Sequence, residues 1–215
     1  MSYFRELPNL EYQSFLSDRK ASDEYLTVKN LFRRVKLRED LQNVFTIFDK
    51  YQIVDGARPE TVAEEIYGSS QYDWVVLVSA GITRVRDQWP LSDKDVYDYA
   101  ESIYGTNLNA VHHYETTEVK DSKDRLILPA GKVVDSTFTI PNPSNPLATL
   151  NPVTGVSNYE YEVAKNNEKR GIYVLKPRYL QQVVTDTRKV MTYDKSSQYV
   201  DNKLIRTENT RASNP

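Results

Sequence analysis

The groups in this chain that could do chemistry are few and scattered. Two histidines, His112 and His113, stand side by side in a stretch whose alternation predicts a strand. Neighbours in a strand project to opposite faces, so the two are expected not to serve one site. Carboxylates gather at Glu64-Glu65, at Asp93, Asp95 and Asp98, and at Asp121 with Asp124. The first group fits a solvated helix face and the second suits the positive end of a helix. The third faintly resembles a cation loop, but Lys123 lies inside it and the later bidentate Glu is missing, so a hairpin turn is expected. No Gly-rich phosphate loop, Gly-x-Ser-x-Gly elbow or His-Glu-x-x-His helix occurs. Without cysteine there is no thiol nucleophile, thiolate ligand or disulfide. No catalytic, cofactor-binding or metal residue can be named, and the chain is expected not to be an enzyme.

Side chains suited to contact are easier to find. Arg33, Arg34, Lys36 and Arg38 form the densest basic patch. A formal charge of -2 over 215 residues, and no aromatics interleaved on one face, favour a solvated edge or a strip facing an acidic partner over nucleic acid. Sixteen tyrosines against six phenylalanines suit partly wet interfaces, since each ring carries a hydrogen-bonding tip. Trp74, within Val75-Val76-Leu77-Val78, reads as a core or interface anchor, or alternatively as a ring that stacks on sugar. Phe32, Arg33, Arg34, Tyr67, Tyr72, Trp74 and Trp89 are the candidate partner-contact or anchor residues.

The elements that must hold these residues are clearest over residues 51–81. Tyr51-Gln52-Ile53-Val54 predicts a strand running into the turn signal Asp55-Gly56. Pro59 suits the first turn of a helix, Val62 and Ile66 give it an apolar stripe, and Gly68 ends it. Ser69-Ser70 caps a second helix in which Trp74, Leu77 and Val78 recur at helical spacing. That helix is apolar nearly all round, so it must be buried on more than one side. Further on, Ser92 caps a helix over residues 93–104, ended by Gly105, that repeats the Ala-Glu-x-Ile-Tyr-Gly ending of the first.

Elsewhere the pattern changes. Residues 1–24 lack periodicity and read as an extended arm; residues 44–48 read as a strand. Residues 109–140 alternate as a hairpin or small meander, and three prolines in residues 141–146 predict an extended linker. Residues 159–170 suit a helix, residues 172–175 a strand, and a helix runs from Pro177 to about Met191. The polar residues 193–215 cannot bury a core alone. The expected organisation is therefore an arm and lead-in over 1–49, a core with its following helix over 50–105, a β-rich insertion and Pro-rich loop over 106–158, a helix-strand-helix over 159–192 and a tail over 193–215. The fold class is α+β.

Only 39% of residues are hydrophobic and mean hydropathy is -0.63, so the core is modest. The polar residues 1–10 lack the apolar core of a signal peptide, and no window approaches the roughly 20 apolar residues of a membrane span.

Tyr51, Ile53, Val54, Gly56, Val62-Ala63, Tyr67-Gly68 and Trp74 resemble the LysM module, a strand-helix-helix-strand unit that often binds peptidoglycan or chitin. The Asn and the Gly-rich closing strand usual after its second helix are missing here. A wider resemblance is carried by Arg58-Pro59-Glu60, Ile66-Tyr67-Gly68, Tyr72-Asp73-Trp74-Val75-Val76-Leu77 and Trp89-Pro90-Leu91-Ser92. It is flanked by Val28-Lys29-Asn30-Leu31-Phe32-Arg33-Arg34 and by Asn167-Glu168-Lys169-Arg170. Together these residues are similar to the small LysM-containing baseplate wedge subunits of T-even-type contractile-tail phages, the baseplate wedge protein 53 family. The resemblance implies a structural virion protein of the tail baseplate, assembled in the host cytoplasm. It also implies partners among the core-bundle subunits, the sheath initiator and neighbouring wedges, six copies per baseplate, and no cofactor, nucleic acid or membrane. A LysM-type carbohydrate-binding module is the alternative.

Overall fold

Pro59, Gly68 and Ser92 punctuate the chain where their backbone chemistry requires it. In the computed structural model, which describes residues 3–13, 25–35, 37 and 45–206, the chain divides into two units. In chain order the first elements are α1 (Tyr3–Glu6), β1 (Asn9–Gln13), β2 (Tyr25–Lys29), β3 (Phe48–Gln52), α2 (Pro59–Tyr67), α3 (Asp73–Ser79) and α4 (Val85–Gln88). Then come α5 (Asp93–Tyr104), β4 (Val111–Thr116), β5 (Val119–Lys120), β6 (Leu126–Leu128), β7 (Val133–Val134), β8 (Ile140–Asn142), β9 (Asn145–Leu150), β10 (Val153–Ser157) and α6 (Asn158–Glu168). The last are β11 (Gly171–Leu175), α7 (Leu180–Val190), β12 (Tyr199–Asp201) and β13 (Leu204–Arg206). The architecture is α+β, as expected.

The first unit comprises the described residues of Met1–Ile53, Ala57–Trp89 and Ile172–Pro215. Helix α2 starts at Pro59 and stops at Gly68, whose φ of 69° is the left-handed conformation that glycine adopts without steric cost. Ser69 accepts from the amide of Gln71 and starts a short 3-10 turn that leads into α3. Two apolar clusters flank α3, which explains its all-round hydrophobicity. Trp74 and Val75 enter one with Leu7, Val35, Leu175, Leu180, Val183 and Val184. Val76 enters the other with Ile53, Val62, Ala63, Trp89, Ile172 and Val174. Strand β11 pairs with β3. The partner of β3 thus comes from much later in the chain. Tyr67 seals this arrangement, its hydroxyl donating to the Leu175 carbonyl at 2.9 Å.

Arm and tail share a second sheet of the same unit, in the order β12-β13-β1-β2. β1 runs parallel to β13 and antiparallel to β2. The N-terminal segment is extended as expected over Asn9–Gln13, yet it is not free, because the polar tail pairs along it. Tyr3–Glu6 depart from the extended arm expected over 1–24 by forming one helical turn, and residues 1–2, 14–24 and 207–215 lie outside the described residues. So do Lys36, residues 38–44 and with them part of the strand expected over 44–48; Phe45–Ile47 form a 3-10 turn and the strand begins at Phe48.

The second unit comprises Val54–Gly56 and Pro90–Gly171. Ser92 caps α5 by accepting from the Asp95 amide at 3.2 Å, and a full capping box of Ser157 and Glu160 starts α6. β10, β4 and β7 form an antiparallel sheet, and β5 pairs with β6 in a hairpin. Residues 140–150 are not the linker expected from their prolines: β8 and β9 pair as a hairpin. A two-stranded ribbon has only edges, so missing proline N–H groups can face outward without breaking a ladder. Polar side chains do much of the holding here. Asn166 accepts from the Leu91 amide at 2.8 Å and donates to the Leu91 carbonyl at 3.0 Å. Arg170 bridges Asp55 and Asp93 at 2.8 and 2.6 Å.

Candidate functional site

Most of the carboxylates that drew attention are engaged structurally. Glu64 accepts from the Ser70 amide at 2.6 Å and Glu65 from the Tyr51 hydroxyl at 2.6 Å. Burial, together with Glu65, pushes the Tyr51 phenol up to about 12. Asp121 accepts from the amides of Lys123 and Arg125 and from the Arg125 side chain, which builds the β5–β6 turn. The histidines differ from expectation. A register shift beside β4, where Val156 pairs His113 but Ser157 pairs Val111, breaks the alternation. The two rings therefore meet, Nδ1 to Nδ1 at 2.9 Å, with His113 Nε2 at 2.9 Å from Glu115 and His112 stacked 4.0 Å from the Tyr161 ring. Among the described residues no group of three or more His, Cys, Asp or Glu could hold a metal ion.

The contact candidates fall in the first unit and separate into two sets. Tyr67 and Trp89 are interior anchors: Tyr67 bonds Leu175, and Trp89, 7% exposed, donates its indole N–H to the Ala57 carbonyl at 2.8 Å. Tyr72 packs edge-on against Tyr67, 6.2 Å between centroids. Trp74 is 4% exposed and leans on Tyr3 at 6.2 Å.

Phe32 is the opposite case, 96% exposed. It sits in a turn that is firmly held. Asn30 accepts from the Phe32 amide at 3.1 Å and donates to the Tyr193 hydroxyl at 2.9 Å. Arg33 lies over the Tyr193 ring at 4.8 Å and donates to the Val190 and Thr192 carbonyls at 3.3 and 3.0 Å. Fixing a large apolar side chain in water from both flanks costs ordering entropy and gains nothing in the isolated fold. A preformed knob of this kind lowers the cost of binding.

Arg34 leaves that turn to line a groove of about 490 Å³. Its lining also includes Tyr3 and Phe4 of α1, Val35 and Leu37, Asp73, Trp74, Leu77 and Val78 of α3, and Gly81, Ile82 and Thr83. Nothing in the aperiodic N-terminal sequence marked Tyr3 and Phe4 as lining residues; Tyr193, the platform for Arg33, was equally silent. A groove of apolar side chains with one cation and one acid in its lining can hold an apolar segment and fix its direction.

Fold and surface together define an α+β protein whose conspicuous features are a knob and a groove suited to macromolecular contact. Residues 4–104 match the family described as base plate wedge protein 53. That stretch contains every one of the candidate contact residues, and the match supports assignment to the base plate wedge protein 53 family. Comparison with curated proteins gives no match. The match supports a structural role in the tail baseplate of a phage virion, among other baseplate components. No helix among the described residues is long and apolar enough to cross a membrane.

Proposed function

We propose that the chain is a non-catalytic clamp of the inner baseplate that joins adjacent wedges around the tail tube. The observation that carries this reading is the anchored, exposed Phe32, two residues before the Arg34 that lines the groove with Trp74. Its partners are core-bundle subunits, the sheath initiator and the neighbouring wedges, with six copies per baseplate and no cofactor, nucleic acid or membrane involved. In this reading β3, α2, α3 and β11 serve as a LysM-like scaffold rather than a sugar site. Trp74 and Trp89 bury their rings, so neither offers a face to a glycan. Tyr67, Tyr72, Trp74 and Trp89 hold the scaffold rigid, and Phe32, Arg33 and Arg34 meet the partner.

Assembly tests the proposal directly. Wedges prepared without the chain should sediment singly, and adding it should yield closed rings containing six copies. Rings that close equally well without it would overturn the clamp role.

A further inference from the structure

Strand β2 is the edge of its sheet among the described residues. The Asn30 amide donates to the Pro8 carbonyl, and β2 pairs β1 as Val28↔Leu10 and Leu26↔Tyr12. Residues of an antiparallel pair alternate between exchanging hydrogen bonds and facing away. With Asn30 bonded inward, Val28 and Leu26 also turn to β1, and Thr27 and Lys29 point their N–H and C=O groups outward.

Lys29, at the end of the strand, is the one side chain of a kind that guards an edge. Leu26 and Val28, 52% and 43% exposed, share one face with no proline or bulge in the strand. Neither belongs to the two apolar clusters of this unit. The exposed Phe32 follows directly. Charge is one-sided too: residues 25–38 contain Lys29, Arg33, Arg34, Lys36 and Arg38 and no acid. Among the described residues Lys29 and Arg33 donate to carbonyls, at Leu7, Val190 and Thr192, contacts that satisfy their geometry without neutralising their charge.

We propose that β2 receives an extended, acidic segment of another baseplate subunit as an added strand. This rests on the baseplate-contact reading above. The incoming backbone completes the ladder at Thr27 and Lys29, its alternate apolar side chains cover Leu26 and Val28, and its carboxylates reach Lys29 and Arg34. A second copy of this chain is a poor occupant, because edge-to-edge pairing would set the two cationic strips against each other.

The test uses baseplates assembled with the chain carrying photoreactive benzoylphenylalanine at position 26 or 32, irradiated and digested for mass spectrometry. Both positions should link to one Asp- and Glu-rich stretch of another subunit. Thr27→Pro, which removes an outward N–H, should cut the yield about tenfold. Should that variant misfold by circular dichroism, Arg34→Glu serves instead, with the same expected loss. Links to a second copy, links to a helical segment, or no links from an incorporated chain would overturn the added strand and leave the baseplate role standing. Absence of the chain from the assembled baseplate would instead remove the role itself.

Discussion

Asn9 stands opposite Leu204 in a parallel ladder, so the two ends of the sequence are held by one sheet. The Asn9 amide donates to the Lys203 carbonyl at 2.7 Å. By strand alternation Asn9 and Glu11 face β13, and Leu10 faces β2. In the isolated chain, removing residues 199–215 should abolish hydrogen-exchange protection at Asn9 and Glu11 and spare Leu10. Equal loss at all three would mean that the whole sheet depends on the tail.

Arg188 holds Glu6 through two bonds of 2.9 and 3.1 Å. This pairing keeps the Glu6 carboxyl below its ordinary range. A lowered folded value stabilises the protein above the unfolded value and loses that contribution as pH falls through the folded one. Glu6→Gln should flatten the acid limb of the stability profile below about pH 4.5. At neutral pH, solvent around the half-open Arg188 limits the loss to about 1 kcal/mol, measurable by urea titration.

Tyr67 is buried, and burial pushes its phenol well above the usual value. A raised folded value gives stability that is complete below about pH 10 and is lost as pH rises through the folded value. Tyr67→Phe should remove that alkaline dependence and cost about 1 kcal/mol at neutral pH through the lost bond to Leu175. Denaturant midpoints at pH 7 and pH 10.5 check both effects.

Asn166 clamps Leu91 by accepting from its amide and donating to its carbonyl. Asn166→Ala leaves both backbone groups without this partner and should cost about 2 kcal/mol. Asn166→Asp keeps the size but cannot donate, so it should destabilise as well. Wild-type stability of the Asp variant would show that the donated bond contributes nothing.

Titration with N-acetylglucosamine oligomers to millimolar concentration should leave tryptophan emission and the amide spectrum unchanged. The buried rings of Trp74 and Trp89 underlie this expectation. Saturable shifts at Gly81 to Thr83 would revive the glycan-binding alternative.

The candidate site was partly legible. Phe32, Arg33 and Arg34 stand out in sequence as an apolar residue beside cations, and Trp74 as an aromatic in an apolar helix. Their difference in exposure is not written there. Phe32 is outside because Asn30 and Arg33 tie its turn to Tyr193, a residue far along the chain. The groove-lining Tyr3 and Phe4 sit in a helix of one turn, too short to show a period.

Local chemistry was settled by the sequence alone. Pro59, Gly68, Ser92 and the apolar spacing of Val62 and Ile66 fix helices within three or four residues, the reach of a cap or a turn. The Ser157–Glu160 box that starts α6 is local chemistry of the same reach. Tertiary structure decided what closes over distance: β11 onto β3, β13 onto β1, and the bulge that brings His112 to His113. A strand carries no local record of its partner, because its ladder bonds are satisfied only by a chain segment that folding delivers.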